Sequence, residues 1–250
     1  KTAVDSMLNQ THPCDIYIYR DGEVPIALQQ MIDKISSNIR VKYFHAEKNF
    51  GLAFALNKLI SEVLIDSYQF IARMDSDDIS RGNRIEKQVA YFNEYSNVDV
   101  CGTSCREFGA SYALDEKHLP KKHEELLNYS ITRCPFIHPT VMFRTEVFID
   151  GNRYPTDTAL TEDMAFWFEL LKNGYIFGNL NEILLDYRLN ENTIERRKGI
   201  GKAMSEVRIR KNNMFALKQF SLKNVLLIYS RIIFHLMPSK LVKLAYKKAR

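Results

Sequence analysis

Little in this chain would staple it, anchor it or break it up. Its 250 residues include four cysteines, one tryptophan, ten glycines and seven prolines. Cys14, Cys101, Cys105 and Cys134 are scattered, with no Cys-x-x-Cys pair and no accompanying histidine cluster. That pattern excludes the usual zinc spacings and a disulfide-stapled secreted domain. The cysteines read as buried, reduced thiols of a cytoplasmic protein. There is no signal peptide and no apolar run of roughly 18 residues or more, so no membrane span is expected. Internal repeats and low-complexity tracts are absent. The Gly-rich phosphate loop with its basic residue is also missing, which argues against nucleotidyl transfer.

What is present describes an ordinary globular chain: 46% hydrophobic and 26% charged residues. The length suits one large domain, or one domain with an appendage. The net charge of +5 hides an asymmetry. Residues 196–250 carry fifteen Lys and Arg against one acid, Glu206, whereas residues 1–195 carry 20 basic and 29 acidic residues. An acidic body with a basic tail implies an anionic partner for the tail, either a membrane surface or nucleic acid.

The periodicity alternates. Residues 1–10 read as the end of a helix and Asp15–Tyr19 as a strand. Residues 25–37 read as a helix and Val41–Phe44 as a strand. Residues 52–66 read as an apolar helix and Tyr68–Ala72 as a strand. Residues 82–95 read as an amphipathic helix and Val98–Thr103 as a strand. This predicts an α/β fold with a largely parallel sheet. Beyond residue 110 the pattern loosens. His138–Arg144 reads as a strand, Thr145–Phe148 as a short helix, Thr161–Asn173 as a helix capped by Thr161, and 180–187 as a last strand.

The chemistry concentrates in Arg73-Met74-Asp75-Ser76-Asp77-Asp78, directly after an apolar strand. Carboxylates crowded at a strand end repel one another and lose hydration, and a cation relieves both costs. Oxygen ligands suit Mg2+ or Mn2+ bridging to a nucleotide's phosphates. The plainer reading is a solvated turn, with Asp78 or Ser80 capping the next helix.

Taken together, Asp21-Gly22 after a strand, Asn49-Phe50-Gly51 opening a helix, Arg73 to Ile79, Arg84 to Gln88, His138-Pro139-Thr140, Glu162-Asp163 opening a helix and Tyr187-Arg188 resemble the family 2 glycosyltransferases in identity and order. The resemblance covers roughly residues 1–190. It implies a GT-A fold, Rossmann-like, with a mixed, mostly parallel sheet flanked by helices. It also implies inverting, metal-dependent transfer of a hexose or N-acetylhexosamine from a UDP-sugar in surface polysaccharide synthesis. The expected domains are 1–195 for the transferase and 196–250 for a basic, helical extension.

The roles this resemblance implies have physical sense. Asp21 accepts the uracil imide hydrogen, with a turn aspartate as the plain alternative. Asn49, Arg73, Asp75 and His138 belong to the nucleotide-sugar site, Arg73 being equally readable as a buried ion pair and His138 as a core histidine. Asp77 is the metal ligand, joined by Asp75. Asp163 is the general base and Glu162 the fallback, with helix first-turn acids as the alternative. Trp167, one turn on from Asp163, stacks on the acceptor sugar or belongs to the core.

Two departures stand out. Many relatives place a histidine shortly after the Tyr-Arg pair, where this chain has Asn190. Relatives also begin with an apolar strand and a Pro-x-Tyr-Asn turn; its absence here reads as a truncated record. Residues 222–244 fit one or two amphipathic helices, separated at Pro238, that lie on an anionic leaflet, cap the sheet or pair in a homodimer. The location expected is cytoplasmic, peripheral on the inner face of the cell membrane. The acceptor expected is a glycan or lipid-linked glycan, and no nucleic-acid partner is expected. The other readings carried are a metal-dependent nucleotidyltransferase and a non-catalytic module binding membrane or nucleic acid through the tail.

Overall fold

A computed structural model describes residues 1–158, 161–192, 199–238 and 241–242 of the chain. Two sheets organise it. Strands β1 (Ile16–Asp21) and β2 (Val41–Ala46) pair in parallel, from Ile16 opposite Val41 to Asp21 opposite Ala46. Helices α1 (Thr2–Leu8), α2 (Ile26–Ser36) and α3 (Leu52–Val63) lie among them. The second sheet has five strands in the order β3 (Phe70–Ala72), β6 (Met142–Arg144), β5 (Val100–Phe108), β7 (Phe177–Arg188) and β4 (Ile79–Ser80). Helix α4 (Arg84–Glu94), α5 (His123–Thr132), the short α6 (Glu146–Ile149) and α7 (Glu162–Lys172) accompany it, followed by α8 (Ile200–Ala216) and α9 (Leu222–Leu236).

The α/β class stands, but the sheet is more mixed than the mostly parallel one expected. β1–β2 and β5–β7 are parallel, whereas β3–β6, β5–β6 and β4–β7 are antiparallel. Strand–helix alternation encodes crossovers, and strands of two or three residues carry no pattern that reveals their direction. The predicted strand 138–144 divides into a 3-10 turn, His138–Thr140, and the three-residue β6. Pro139 cannot donate to a ladder, so pairing begins only beyond it. β5 runs on to Phe108 and β7 begins at Phe177, with irregular register between Thr103 and Cys105. Helix α5 had no clear sequence signal because few apolar positions mark it; Leu126 and Ile131 are its buried anchors. Glu125 accepts from the Lys122 N–H at 3.5 Å at its start.

One aromatic-rich core lies between the five-stranded sheet and α5, α7 and α8. Phe143, Phe148, Phe166, Trp167 and Phe177 fill it, and Val207, Met214 and Ile228 join it from α8 and α9. Burial of each such side chain contributes roughly 1.5–3 kcal/mol. Arg210 of α8 donates to the carbonyls of Ser130 (2.8 Å) and Ile131 (3.2 Å) at the end of α5. These contacts fix the C-terminal helices against the wall that carries α7.

Candidate active site

Strand β3 ends at Ala72 and its chain turns outward under restraint. The Arg73 N–H bonds the Val141 carbonyl at 2.8 Å, and its guanidinium, 7% exposed, pairs with Asp75 at 2.6 Å. The carboxylates of Asp75, Asp77 and Asp78 gather so that an oxygen of each lies within 4.8 Å of the others. Asp77 is exposed and Asp78 is buried. Asp78 Oδ1 accepts from the Arg188 N–H at 2.7 Å, while its buried Oδ2 has no partner. Burial pushes the Asp78 carboxyl up to about 7. The bond from Arg188 opposes this, and the charges of Asp75 and Asp77 add to it. Asp78 is therefore not a helix cap, because α4 starts at Arg84 behind Asn83. An unpartnered buried carboxylate oxygen among three acids is the donor set a hard divalent cation fits. Arg188 braces this loop from β7: its Nε donates to the Asp77 carbonyl at 2.8 Å and its guanidinium lies over the Phe108 ring.

A buried pair beneath the loop was not among the expected site residues. Arg84 is fully buried; its Nη2 donates to the Arg73 carbonyl at 2.8 Å and its Nε to Gln88 at 2.9 Å. Gln88 Nε2 donates in turn to the carbonyls of Cys101 (3.1 Å) and Thr140 (2.9 Å). One Arg–Gln pair thus joins the end of β3, the start of β5 and the His138–Thr140 turn. The sequence signal is an i,i+4 polar pair on the inward face of an amphipathic helix.

Facing the acidic loop, α7 presents Glu162 and Asp163, both half-buried, in its first turn. Asp163 Oδ1 accepts from the Met164 N–H at 2.7 Å, and Thr161, although at the cap position, makes no side-chain cap bond. Between the two walls stand His138 and Tyr154, with Nε2 and the hydroxyl 3.0 Å apart. Burial, reinforced by the charge of Arg73, holds His138 well below the usual histidine range, so the ring is neutral. Burial raises the Tyr154 hydroxyl. Arg73 opposes that rise, and the charges of Asp163, Asp75 and Glu162 add to it. Those four groups therefore share one electrostatic neighbourhood. Tyr154, which sequence reasoning missed, is fixed to α3 by a reciprocal pair with Asn57 at 2.8 and 2.9 Å.

Trp167 departs from the expected acceptor platform. It is 1% exposed, its rings packed on Phe136, His138, Phe143 and Phe177, and its Nε1 has no partner. At i+4 from Asp163 it points into the core, where its bulk supports His138.

Asp21 and Asn49 form a second set, on the two-stranded sheet. The two Asp21 oxygens accept from the N–H groups of Phe50 and Gly51, each at 2.8 Å, and Asn49 Nδ2 donates to the Asp21 carbonyl at 3.2 Å. Gly22 has φ +100°, and a Cβ there would meet the Asn49 nitrogen at 3.2 Å, so only glycine fits this close turn. Asn190 Oδ1 accepts from the Asn192 N–H at 2.9 Å, closing its own turn.

Comparison with known proteins follows this geometry. The model of "Glycosyl transferase family 2" matches residues 1–151. The Escherichia coli UDP-Gal:alpha-D-GlcNAc-diphosphoundecaprenol beta-1,3-galactosyltransferase is 32% identical, over 96% of this chain and 86% of its own length. The amylovoran biosynthesis glycosyltransferase AmsE of Erwinia amylovora is 28% identical, over 99% of this chain and 92% of its own. Among solved structures, residues 1–349 of S. aureus TarS in complex with UDP superpose with a TM-score of 0.63 at 15% identity, over 93% of this chain and 66% of that one. The same protein with UDP-GlcNAc gives 0.65 at 16%, over 93% and 67%. At such identity the likeness speaks for the fold.

Proposed function

The chain belongs to glycosyltransferase family 2, and from that premise we propose that it moves a hexose or N-acetylhexosamine from a UDP-sugar, with inversion, to a lipid-linked glycan in surface polysaccharide synthesis. The observation that carries this reading is the convergence of the Asp75–Asp77–Asp78 cluster and the Glu162–Asp163 pair on the His138–Tyr154 centre. A relative whose name specifies UDP-Gal and a diphosphoundecaprenol acceptor supports the donor and acceptor classes, as does the fold shared with a UDP-GlcNAc complex.

In this reading Asp21 faces the uracil. Its oxygens already accept backbone N–H groups, which fixes an acceptor-only carboxylate where the base's imide hydrogen arrives. Asp77, with Asp75 and Asp78, would hold Mn2+ or Mg2+, which supplies positive charge for the diphosphate leaving group. Arg73 holds Asp75 in orientation, and Arg84 with Gln88 keeps the loop's base in place. Asp163 uses Oδ1 to bind its own helix and offers Oδ2 to the acceptor hydroxyl. That hydroxyl attacks the anomeric carbon from the face opposite UDP. Its proton passes to Asp163, the bond to the donor phosphate breaks, and the electron pair leaves on UDP.

The test is calorimetric titration of UDP with Mn2+ and with EDTA, followed by product analysis with UDP-sugars. Wild type binds UDP only with the cation, and Asp77→Ala abolishes that binding. Asp163→Asn keeps it and loses transfer by about 10²–10⁴-fold. A folded wild-type protein that binds no UDP under either condition overturns the donor assignment.

A further inference from the structure

Helix α9 is apolar on two faces. Its inward face packs Val225, Ile228 and Ile232 on the core, beside the polar Asn224, Arg231 and His235. Its outward face carries Leu222, Leu226, Tyr229, Ile233 and Leu236, spaced 4-3-4-3 and between 48% and 73% exposed. A helix of a water-soluble protein normally turns its apolar stripe to the core. Here a second stripe points away from it and continues past the helix start, where Phe220 stacks on Phe215 of α8 with ring centroids 5.5 Å apart, both rings exposed.

The exposed charge carried by the two C-terminal helices and their turn has one sign. Residues 199–238 contain a single acid, Glu206, and the fold buries it: Arg231 Nη2 lies 2.9 Å from it, His235 3.5 Å and Arg210 3.9 Å. Lys218 and Lys223 are exposed at the turn between the helices, and Arg208 and Lys211 are exposed on α8. The sequence beyond residue 238 adds five more Lys and Arg and no acid. An apolar stripe with a cationic rim is the composition that lies in the interfacial layer of an anionic bilayer, with chains inserted and ammonium groups at the phosphates.

We propose that the outward face of α9, with the Phe215–Phe220 turn and its lysines, is a membrane-docking surface for anionic phospholipid. A second copy of this chain is a poorer occupant, because a contact between two such faces would set two cationic rims together, and residues 199–238 offer no exposed acid to neutralise them. The proposal stands on this surface alone and goes beyond the transfer reaction. It also explains how a site beside α8 meets a lipid-borne acceptor: the Arg210 charge acts on both Cys134 and Glu206, and Asp163 lies within reach of the same groups.

The test is flotation of the full chain with vesicles of phosphatidylcholine alone and with roughly a third phosphatidylglycerol. Wild type floats with the anionic vesicles at least about ten-fold better than with neutral ones, and added salt releases it. Lys218→Glu with Lys223→Glu reduces anionic-vesicle binding by about ten-fold or more. Leu226→Gln with Ile233→Gln abolishes binding. Both pairs of changes are at exposed positions, and an unchanged melting temperature and UDP titration show that each variant is folded. Equal flotation with both vesicle types, or none, overturns the proposal. So does a dimer in vesicle-free sedimentation that Leu226→Gln with Ile233→Gln dissociates. A protein that floats but binds no UDP leaves this surface standing and sinks the donor assignment instead.

Discussion

Two regions of this molecule take carboxylates out of water, and they treat the charge in opposite ways. In the C-terminal helices, Glu206 is met by a fork from Arg231 at 2.9 and 3.1 Å, with His235 and Arg210 nearby. Burial alone would raise this carboxyl, but the His235 and Arg231 bonds and the nearby guanidinium charges hold it well below the usual range. At the end of β3, Asp78 is buried beside two further acids with one oxygen unpartnered, and it is pushed up to about 7. The first arrangement is balanced in charge, with the guanidiniums of Arg210 and Arg231 about one carboxylate, and belongs to structure. The second sets one guanidinium, Arg73, against three acids, and the proposed cation site rests on that imbalance. An unbalanced charge marks where a ligand arrives.

The largest effect on stability is expected at the Glu206 network. Glu206→Gln leaves Arg210, fully buried, without its counter-charge, and destabilises by about 3–5 kcal/mol in thermal or urea unfolding. The pH dependence follows from the depressed carboxyl. Its stabilisation is present above the ordinary value of 4.5 and is lost as pH falls below it. Wild type therefore loses stability on acidification through that range, and Glu206→Gln does not show that component. A variant as stable as wild type would mean that the network is an ornament of the surface and that the contrast fails.

The opposite sign is expected at the acidic loop. Asp78→Asn keeps an acceptor for the Arg188 N–H and replaces the orphan oxygen by a donor facing Asp75 and Asp77. Without cation the variant is more stable by about 1–3 kcal/mol, while metal-dependent UDP binding weakens. The native group binds protons more tightly folded than unfolded. Its contribution is full below the ordinary value of 3.8 and is lost as pH rises towards about 7. Unfolding with EDTA across that range shows the trend in wild type and its absence in the variant. Destabilisation by Asp78→Asn would place Asp78 with Glu206 as a structural charge.

The same contrast explains what could be read from the sequence. The acidic loop was legible because Asp75, Asp77 and Asp78 are neighbours in the chain, directly after an apolar strand. The place of Asp21 at a strand end, that of Glu162–Asp163 at a helix start and the alternating first half were legible for the same local reason. The Glu206 network was not, since Arg231 and His235 lie 25 and 29 residues away on a second helix and only the α8–α9 packing brings them to the Glu206–Arg210 pair. Tyr154 was missed likewise, its partners being the side chains of the distant Asn57 and His138, and so was the role of the Arg84–Gln88 pair, which bonds the carbonyls of Arg73, Cys101 and Thr140. Strand direction in β4 and β6 was illegible because two or three residues hold no periodicity.

Trp167 offers the smallest expected effect and a sharp choice between two readings. As a sugar platform, its loss would raise the acceptor KM and leave stability alone. As a core residue with an unpartnered Nε1, Trp167→Phe removes ring volume, which costs stability. It also removes a buried donor that nothing satisfies, which recovers some of it. The two terms oppose each other, so the net change stays within about 1 kcal/mol, with the His138 edge contact loosened and the acceptor KM unmoved. A KM raised about ten-fold or more at unchanged melting temperature would instead place the indole at the acceptor, and would require α7 to turn in the substrate complex so that the ring on Asp163's side leaves the core.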